Sequence, residues 1–431
     1  MEDKIEERPW YESKSLRDKM NGGKGRSPIG MHVDFLTGHI FHGVRALRQI
    51  NYYLEPKLTK EKRRVLIITD DFTKKFAKSV INTLENIEAE SLVWAGVEPE
   101  VPLTTIDEGA KICEEFKPKV FVAIGGGSVM DTAKAIMVRY EKPEMNFYSI
   151  LPYTKLGLRK KVKYLIVIPT TSGTGSDITQ SAMLIDMSKE PPQKIALVNT
   201  ELVPDLIILH IDFVKNMPPF LTMATGLDAF THSLGSYVSA WTSPLTDALN
   251  IYAIKEILKY LPRAYKYGGK DLEARSHMQL ASTMAGLGFG NSLVGQDHAF
   301  AHSFGAVFNV HHGITVAMFL PYTIAFQSKI SDRWKDLCFL FNIESQGKSD
   351  KVLFSEFLGA VKNFITSFGA PVCIKDLKNP VISKEEYYKN LDILIDYTEV
   401  DSVSGLAPRY INREIIRKIY EYAWDGKDID F

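Results

Sequence analysis

The chain has 431 residues, 45% of them apolar, enough to bury a large core and to form two or three domains. Lys plus Arg and Asp plus Glu each number 52, so the net charge is zero and nothing calls for nucleic acid or an anionic membrane as partner. No apolar run approaches the roughly 18 residues of a membrane span, the charged N-terminus is unlike a signal peptide, and the three scattered cysteines form no ligand spacing, which together fit a reducing cytoplasm.

Residues 1–28 are polar, carry Gly22-Gly23 and read as a surface arm without chemistry. From Phe41 onward short apolar runs alternate with helix-period stretches. The runs are Val65–Ile68, Leu92–Trp94, Val120–Ile124, Tyr164–Ile168 and Leu206–Leu209. Continuous apolar runs separated by helical segments predict a parallel sheet covered on both faces, a Rossmann-like α/β domain over residues 29–217. After Met217-Pro218-Pro219 strand-like runs become scarce and apolar residues fall at helical spacing, as in Leu245, Ala248, Leu249 and Tyr252. Residues 218–431 are therefore expected to form an all-helical domain.

Within the α/β part, Ile124-Gly-Gly-Gly-Ser-Val-Met-Asp131 reads as a strand, a glycine turn and a helix start. Glycines at 125, 126 and 127 let backbone approach a phosphate, and the new helix offers free N–H groups and the positive end of its dipole. The alternative is a plain turn in which Ser128 and Asp131 form a capping box. The pattern is not G-x-G-x-x-G, so the usual dinucleotide fingerprint is absent. Asp70, at the end of an early strand, is an acid of the kind that holds a ribose 2′-hydroxyl and favours NAD over NADP, or else caps the segment starting at Phe72. The stretch Pro169-Thr-Thr-Ser-Gly-Thr-Gly-Ser176 suits a loop around a polar ligand, or an ordinary turn.

The helical part concentrates its histidines. Asp228 and His232 are four apart, as are His298 and His302, and His312 follows beside Gly313. Residues at i and i+4 share a helix face, so each pair can point into one cavity. Single helical histidines are more often hydrogen-bonded core residues, but two such pairs flanked by small residues are hard to explain as packing alone. Three imidazoles and a carboxylate suit Fe(II) or Zn(II), and ligand type does not separate the two.

Taken together, AIGGGSVMDTAKA, IPTTSGTGSDIT, ATGLDAFTH and HAFAHSFGAVFNVHHG resemble, in order and spacing, the iron-containing (group III) alcohol dehydrogenase family, from about Phe41 to the C-terminus. The resemblance implies a dehydroquinate synthase-like architecture, with metal and NAD(P) in the cleft between the two domains, and a homodimer or higher homo-oligomer. It implies Asp228, His232, His298 and His312 as metal ligands, His302 as a non-ligand histidine near the nicotinamide and candidate proton relay, and Phe289 at the substrate. On the cofactor side it implies Gly126, Gly127, Ser128 and Asp131 at the pyrophosphate, with Thr170, Thr171, Thr179 and Lys194 nearby. Three positions depart from the family pattern: Glu100 for a usual Asn, Asp177 for Glu and His210 for Asp. The implied reaction is reversible hydride transfer between a small or medium alcohol or aldehyde and NAD, NADP being less favoured. Competing readings are a zinc-dependent glycerol dehydrogenase-like enzyme, a dehydroquinate synthase-like lyase and a non-catalytic homologue.

Overall fold

The computed structural model describes residues 35–431 except Tyr153 and Pro191; the arm at residues 1–28 lies outside the described residues. Eight strands run in chain order: β1 (His39–His42), β2 (Arg64–Thr69), β3 (Glu90–Trp94), β4 (Val120–Gly125), β5 (Tyr164–Pro169), β6 (Ser181–Asp186), β7 (Gln193–Val198) and β8 (Leu206–Leu209). Six of them form one sheet in the order β1-β8-β5-β4-β2-β3, and every neighbouring pair is parallel. β6 and β7 form a separate antiparallel pair.

The apolar runs form this sheet because both of its faces are covered. Leu66, Ile68, Phe121 and Val167 point to one side, into a core shared with α3 (Leu103–Phe116) and α4 (Gly127–Glu141). Their neighbours Val65, Ile67, Val122 and Ile166 point to the other, against α1 (Gln49–Leu54) and α2 (Ala77–Glu85). Such residues are wholly buried, and each contributes about 1.5–3 kcal/mol over an exposed one. A central strand therefore has no polar position to spare, and the alternation expected of a half-exposed strand is absent.

The strand order also fixes where a ligand belongs. The chain steps from β2 outward to β3, returns across β2 to β4, and then proceeds the other way through β5 to β8. The direction reverses between β2 and β4, and open α/β sheets bind ligands at the carboxyl ends of the strands at such a point. Thr69 pairs with Ile124 at those ends, so the residues that follow, Asp70 on one strand and Gly125–Gly127 on the other, flank the reversal.

After β8 and the short α5 (Ile211–Val214) the described residues are helical: α6 (Pro219–Tyr237), α7 (Pro244–Tyr267), α8 (Leu272–Ser292), α9 (Gln296–Phe308), α10 (His312–Gln327), α11 (Asp350–Thr366), α12 (Lys384–Lys389), α13 (Leu391–Val400) and α14 (Arg413–Asp425). Strands thus stop before Pro218, where the texture of the sequence changes. The compact units are interleaved along the chain: one comprises Phe35–Ala229 and Lys255–Gly290, the other, among the described residues, Phe230–Ile254 and Asn291–Phe431. No described helix is long and apolar enough to cross a membrane.

Candidate functional site: a histidine cluster and a glycine loop

α6 carries Asp228 and His232 one turn apart, both buried. α9 carries His298 and His302 in the same relation, and His312 is the first residue of α10. One ligand atom from each of Asp228, His232, His298 and His312 lies within 4.8 Å of the others. The imidazoles of His232 and His298 stack with centroids 4.7 Å apart. His302 stands beside this group, stacked at 5.4 Å on His312, and is not among the four.

His298 shows what the cluster is built for. Its Nδ1–H donates to Oδ2 of the neighbouring Asp297 at 2.6 Å, with both side chains almost wholly buried. That bond selects the tautomer with a lone pair on Nε2, and this atom, also buried, has no hydrogen-bond partner. An unpartnered buried acceptor costs roughly 1–3 kcal/mol, whereas a carboxylate-held imidazole with a free second nitrogen is the usual form of a metal-binding histidine. Two glycines make room for the carboxylate: a Cβ on Gly295 would lie 2.2 Å from Asp297 Oδ1, and one on Gly235 2.8 Å from it. The residues present therefore fit a divalent ion.

His302 is held in the same manner from further away. Its Nδ1 is 2.9 Å from Asp401 Oδ2, while Oδ1 of Asp401 accepts from the backbone N of Val403 at 3.0 Å. The Nε2 edge of His302 is thereby the one not held by this carboxylate. Asp297 and Asp401 are both functional candidates that sequence reading passed over. The first is detectable as an Asp-His dipeptide at a candidate ligand; the second lies 99 residues from its partner and has no local signature.

At the sheet, Gly126 caps the start of α4 without any side-chain cap, so the capping-box alternative for Ser128 and Asp131 is not realised. The facing loop after β5 comes close enough that a Cβ on Gly126 would be 3.1 Å from Thr171 Cγ2, and one on Gly127 3.0 Å from Thr174 Cγ2. Thr170 N donates to Gly125 O at 2.9 Å. Thr171 Oγ1 and Ser172 Oγ are buried atoms with no hydrogen-bond partner. An uncapped helix N-terminus beside unpartnered hydroxyls suits a phosphate.

The other cofactor-side candidates have visible employment within the protein. Asp131 is turned inward, where its carboxylate accepts from Ser176 Oγ and from Met183 N at 2.9 Å; burial pushes it above the usual carboxylate range. Oδ1 of Asp70 accepts from the backbone of Phe72 and Thr73 at 2.8 and 2.7 Å and from Thr73 Oγ1 at 2.8 Å, so it caps the turn. Thr69 Oγ1 donates to Ile124 O at 2.9 Å, fastening the start of that turn to the strand that leads into the glycine loop. Thr179 gives its carbonyl to Lys134, and its hydroxyl accepts from Ser181 at 3.2 Å. Lys194 pairs with Glu100 at 2.8 Å. His210 caps α5, with Nδ1 accepting from Asp212 N and Nε2 donating to Val44 O. Phe289 packs beside Gly175, whose φ is +63° and on which a Cβ would lie 2.8 Å from both Gly286 Cα and the Phe289 ring, so no side chain is admitted there.

Known proteins resemble this chain over most of its length. The model of the iron-containing alcohol dehydrogenase family matches residues 37–211, and that of the Fe-containing alcohol dehydrogenase C-terminal family matches residues 222–424. The NADPH-dependent butanol dehydrogenase of Clostridium saccharobutylicum is 33% identical over 400 residues, 92% of this chain and 99% of the relative. An alcohol dehydrogenase from Oenococcus oeni superposes with a TM-score of 0.82 at 27% identity, covering 91% of this chain and 100% of that one. The iron-containing alcohol dehydrogenase of Thermococcus thioreducens gives 0.79 at 29% identity, covering 91% and 99%.

Proposed function

Given that the chain belongs to the iron-containing alcohol dehydrogenase family, enzymes that oxidise alcohols with NAD(P), we propose that it interconverts a small or medium alcohol and its aldehyde. We assign Asp228, His232, His298 and His312 to a divalent metal, Fe(II) or Zn(II), and the carboxyl edge of β2 and β4 to NAD. The observation that carries this reading is the buried, unpartnered Nε2 of His298 inside a set of four converging ligands.

A metal at these ligands would supply a Lewis acid for the alcohol or carbonyl oxygen, and NAD(P) would supply the hydride acceptor. The chain's own residues do the rest. Asp297 fixes the tautomer of His298. His302, with Nδ1–H held by Asp401, takes up or returns the alcohol proton at Nε2. Gly126, Gly127 and Ser128 present backbone at the start of α4 to the pyrophosphate, and the hydroxyls of Thr170 and Thr171 face it from the opposite loop. Asp131 works from behind, holding that loop through Ser176. Lys194 and Thr179 stand further along the same wall. The Oδ2 atom of Asp70, for which no bond is present among the described residues, is the oxygen assigned to the adenosine ribose, and its charge disfavours a 2′-phosphate.

The test is dialysis against a chelator followed by anaerobic loading with Fe(II) or Zn(II), with metal content read beside the oxidation of an alcohol panel by NAD and NADP. Full turnover in metal-free protein would sink the reading. The cytoplasmic homodimer or higher oligomer expected from the sequence belongs to the same reading; sedimentation of purified protein tests its size.

A further inference from the structure

α4 carries a lysine that no chemistry above uses. Lys134 is wholly buried, and its ammonium donates to the carbonyl oxygens of Ser176, Thr179 and Ser181 at 2.7, 3.0 and 2.7 Å and approaches Ser176 Oγ at 3.2 Å. Its acceptors all belong to one segment, the end of the loop after β5 and the start of β6. Ser176 Oγ in turn donates to Asp131, which lies one turn earlier on the same helix and also receives Met183 N. The next residue in the loop, Asp177, accepts from Thr283 Oγ1 of α8 at 2.6 Å.

A buried ammonium is expensive to desolvate, and burial pulls Lys134 down to about 8, partly opposed by Asp131 and Asp177. A methionine would fill similar space without that cost, so the charge calls for an explanation beyond packing. Its place supplies one. Lys134 sits two turns into the helix that begins with the glycine loop, and its bonds seize the loop that lays Thr171 and Thr174 against Gly126 and Gly127. The ammonium thus ties that loop to the helix from behind the two walls.

We infer that Lys134 is a positioning residue for the pyrophosphate of the cofactor, acting through the carbonyls of Ser176, Thr179 and Ser181 to hold the hydroxyl loop at the glycine turn. The inference rests on the assignment of NAD(P) to this loop. It concerns only the phosphate portion of the cofactor, because the acceptors lie on the loop facing Gly126 and Gly127 and not on the Asp70 turn.

Equilibrium dialysis of Lys134→Met with ADP and with adenosine separates this role from general support of the fold. The dissociation constant for ADP is expected to rise about tenfold, the loss of one to two charge-assisted hydrogen bonds, while that for adenosine stays within about twofold. In turnover, KM for NAD rises and KM for the alcohol does not. Equal ADP affinity in variant and wild type, or a parallel loss of adenosine, overturns the inference. If Lys134→Met does not fold, Ser176→Ala is read in its place: it removes the hydroxyl shared by Lys134 and Asp131 and should weaken ADP selectively, and unchanged ADP binding there overturns the inference too. Wild-type protein that binds no ADP sinks the cofactor assignment itself, and the role of Lys134 with it.

Discussion

The glycine loop and the histidine cluster are built from opposite materials. At the loop the features suited to a ligand are backbone: an uncapped helix start, glycines without Cβ, and two strand ends at the reversal of the sheet. Every acid the sequence nominates there has an internal task, Asp131 with Ser176 and Met183, Asp70 with the turn it caps. At the cluster the features are side chains, and the Nε2 of His298 has no internal task. A site made of side chains declares itself by spacing, whereas for one made of backbone the sequence leaves a phosphate loop and a plain turn both open, and the strand order favours the former.

If that contrast is right, damage at the cluster is the more severe. His298→Ala and His312→Ala should each lose the metal along with activity, since a four-ligand site missing one member binds far more weakly. Asp297→Asn should keep all four ligands yet lower metal affinity or activity roughly 10–100-fold, the usual cost of removing an outer-shell partner. Elemental analysis beside turnover reads both. A metal-replete His298→Ala would dissolve the contrast.

His302 tests where the cluster ends. His302→Ala should retain one metal per chain while the rate falls roughly 10²–10⁴-fold if proton transfer limits turnover. Asp401→Asn should lower the rate less, and the double variant should be no slower than His302→Ala, because Asp401 acts through that ring. Loss of metal in His302→Ala would place the histidine among the ligands. Independent, multiplying losses would separate Asp401 from it.

How much of this the sequence discloses follows the same division. The parallel sheet is legible because fully buried strands such as Val120–Ile124 are apolar without interruption. The histidine cluster is legible because an α-helix repeats a face about every four residues, but that spacing pairs His298 with His302, and it is the resemblance that implies His312 instead among the four candidate ligands. The task of Asp131 is not, since Ser176 and Met183 meet it from 45 and 52 residues away. Asp401 is hidden for the same reason. The interleaving of the compact units at Ala229, Ile254 and Gly290 is also hidden, because the long helices α6, α7 and α8 read as uninterrupted patterns.

Asp70 sharpens the comparison from the loop side, with a smaller effect. Removing its charge in Asp70→Gly should move preference from NAD towards NADP, because a carboxylate near a 2′-phosphate costs roughly 1–4 kcal/mol at 4 Å. The ratio of kcat/KM for the two cofactors measures it. The same variant loses three hydrogen bonds within the turn, so some fall in thermal stability should accompany the switch. A wild type already faster with NADP at equal subsaturating concentration would leave Asp70 with its capping task alone.

The smallest effect is expected at the cysteines, which neither region employs. Cys113 lies on α3 against the sheet and is fully buried, and burial pushes its thiol up to about 12 from an ordinary 9.0; Glu114 adds to this and Lys161 opposes it. Cys373 is raised to about 11 and Cys338 upward, again chiefly by burial. The thiolate is the reactive form, so at pH 8 the folded chain should hold almost none of it at Cys113. A disulfide reagent should therefore titrate the native protein slowly, without loss of activity in the early phase, and all three thiols at once after unfolding. The linkage has a definite sign. Between pH 9 and about 12 the unfolded chain releases the Cys113 proton and the folded chain keeps it, so this contribution to stability is whole below pH 9 and is lost as pH rises through that window. Replacing Cys113 by Ala should flatten the alkaline fall in stability. Rapid modification of Cys113 in native protein at pH 8 would show that α3 opens from the sheet far more readily than its burial allows.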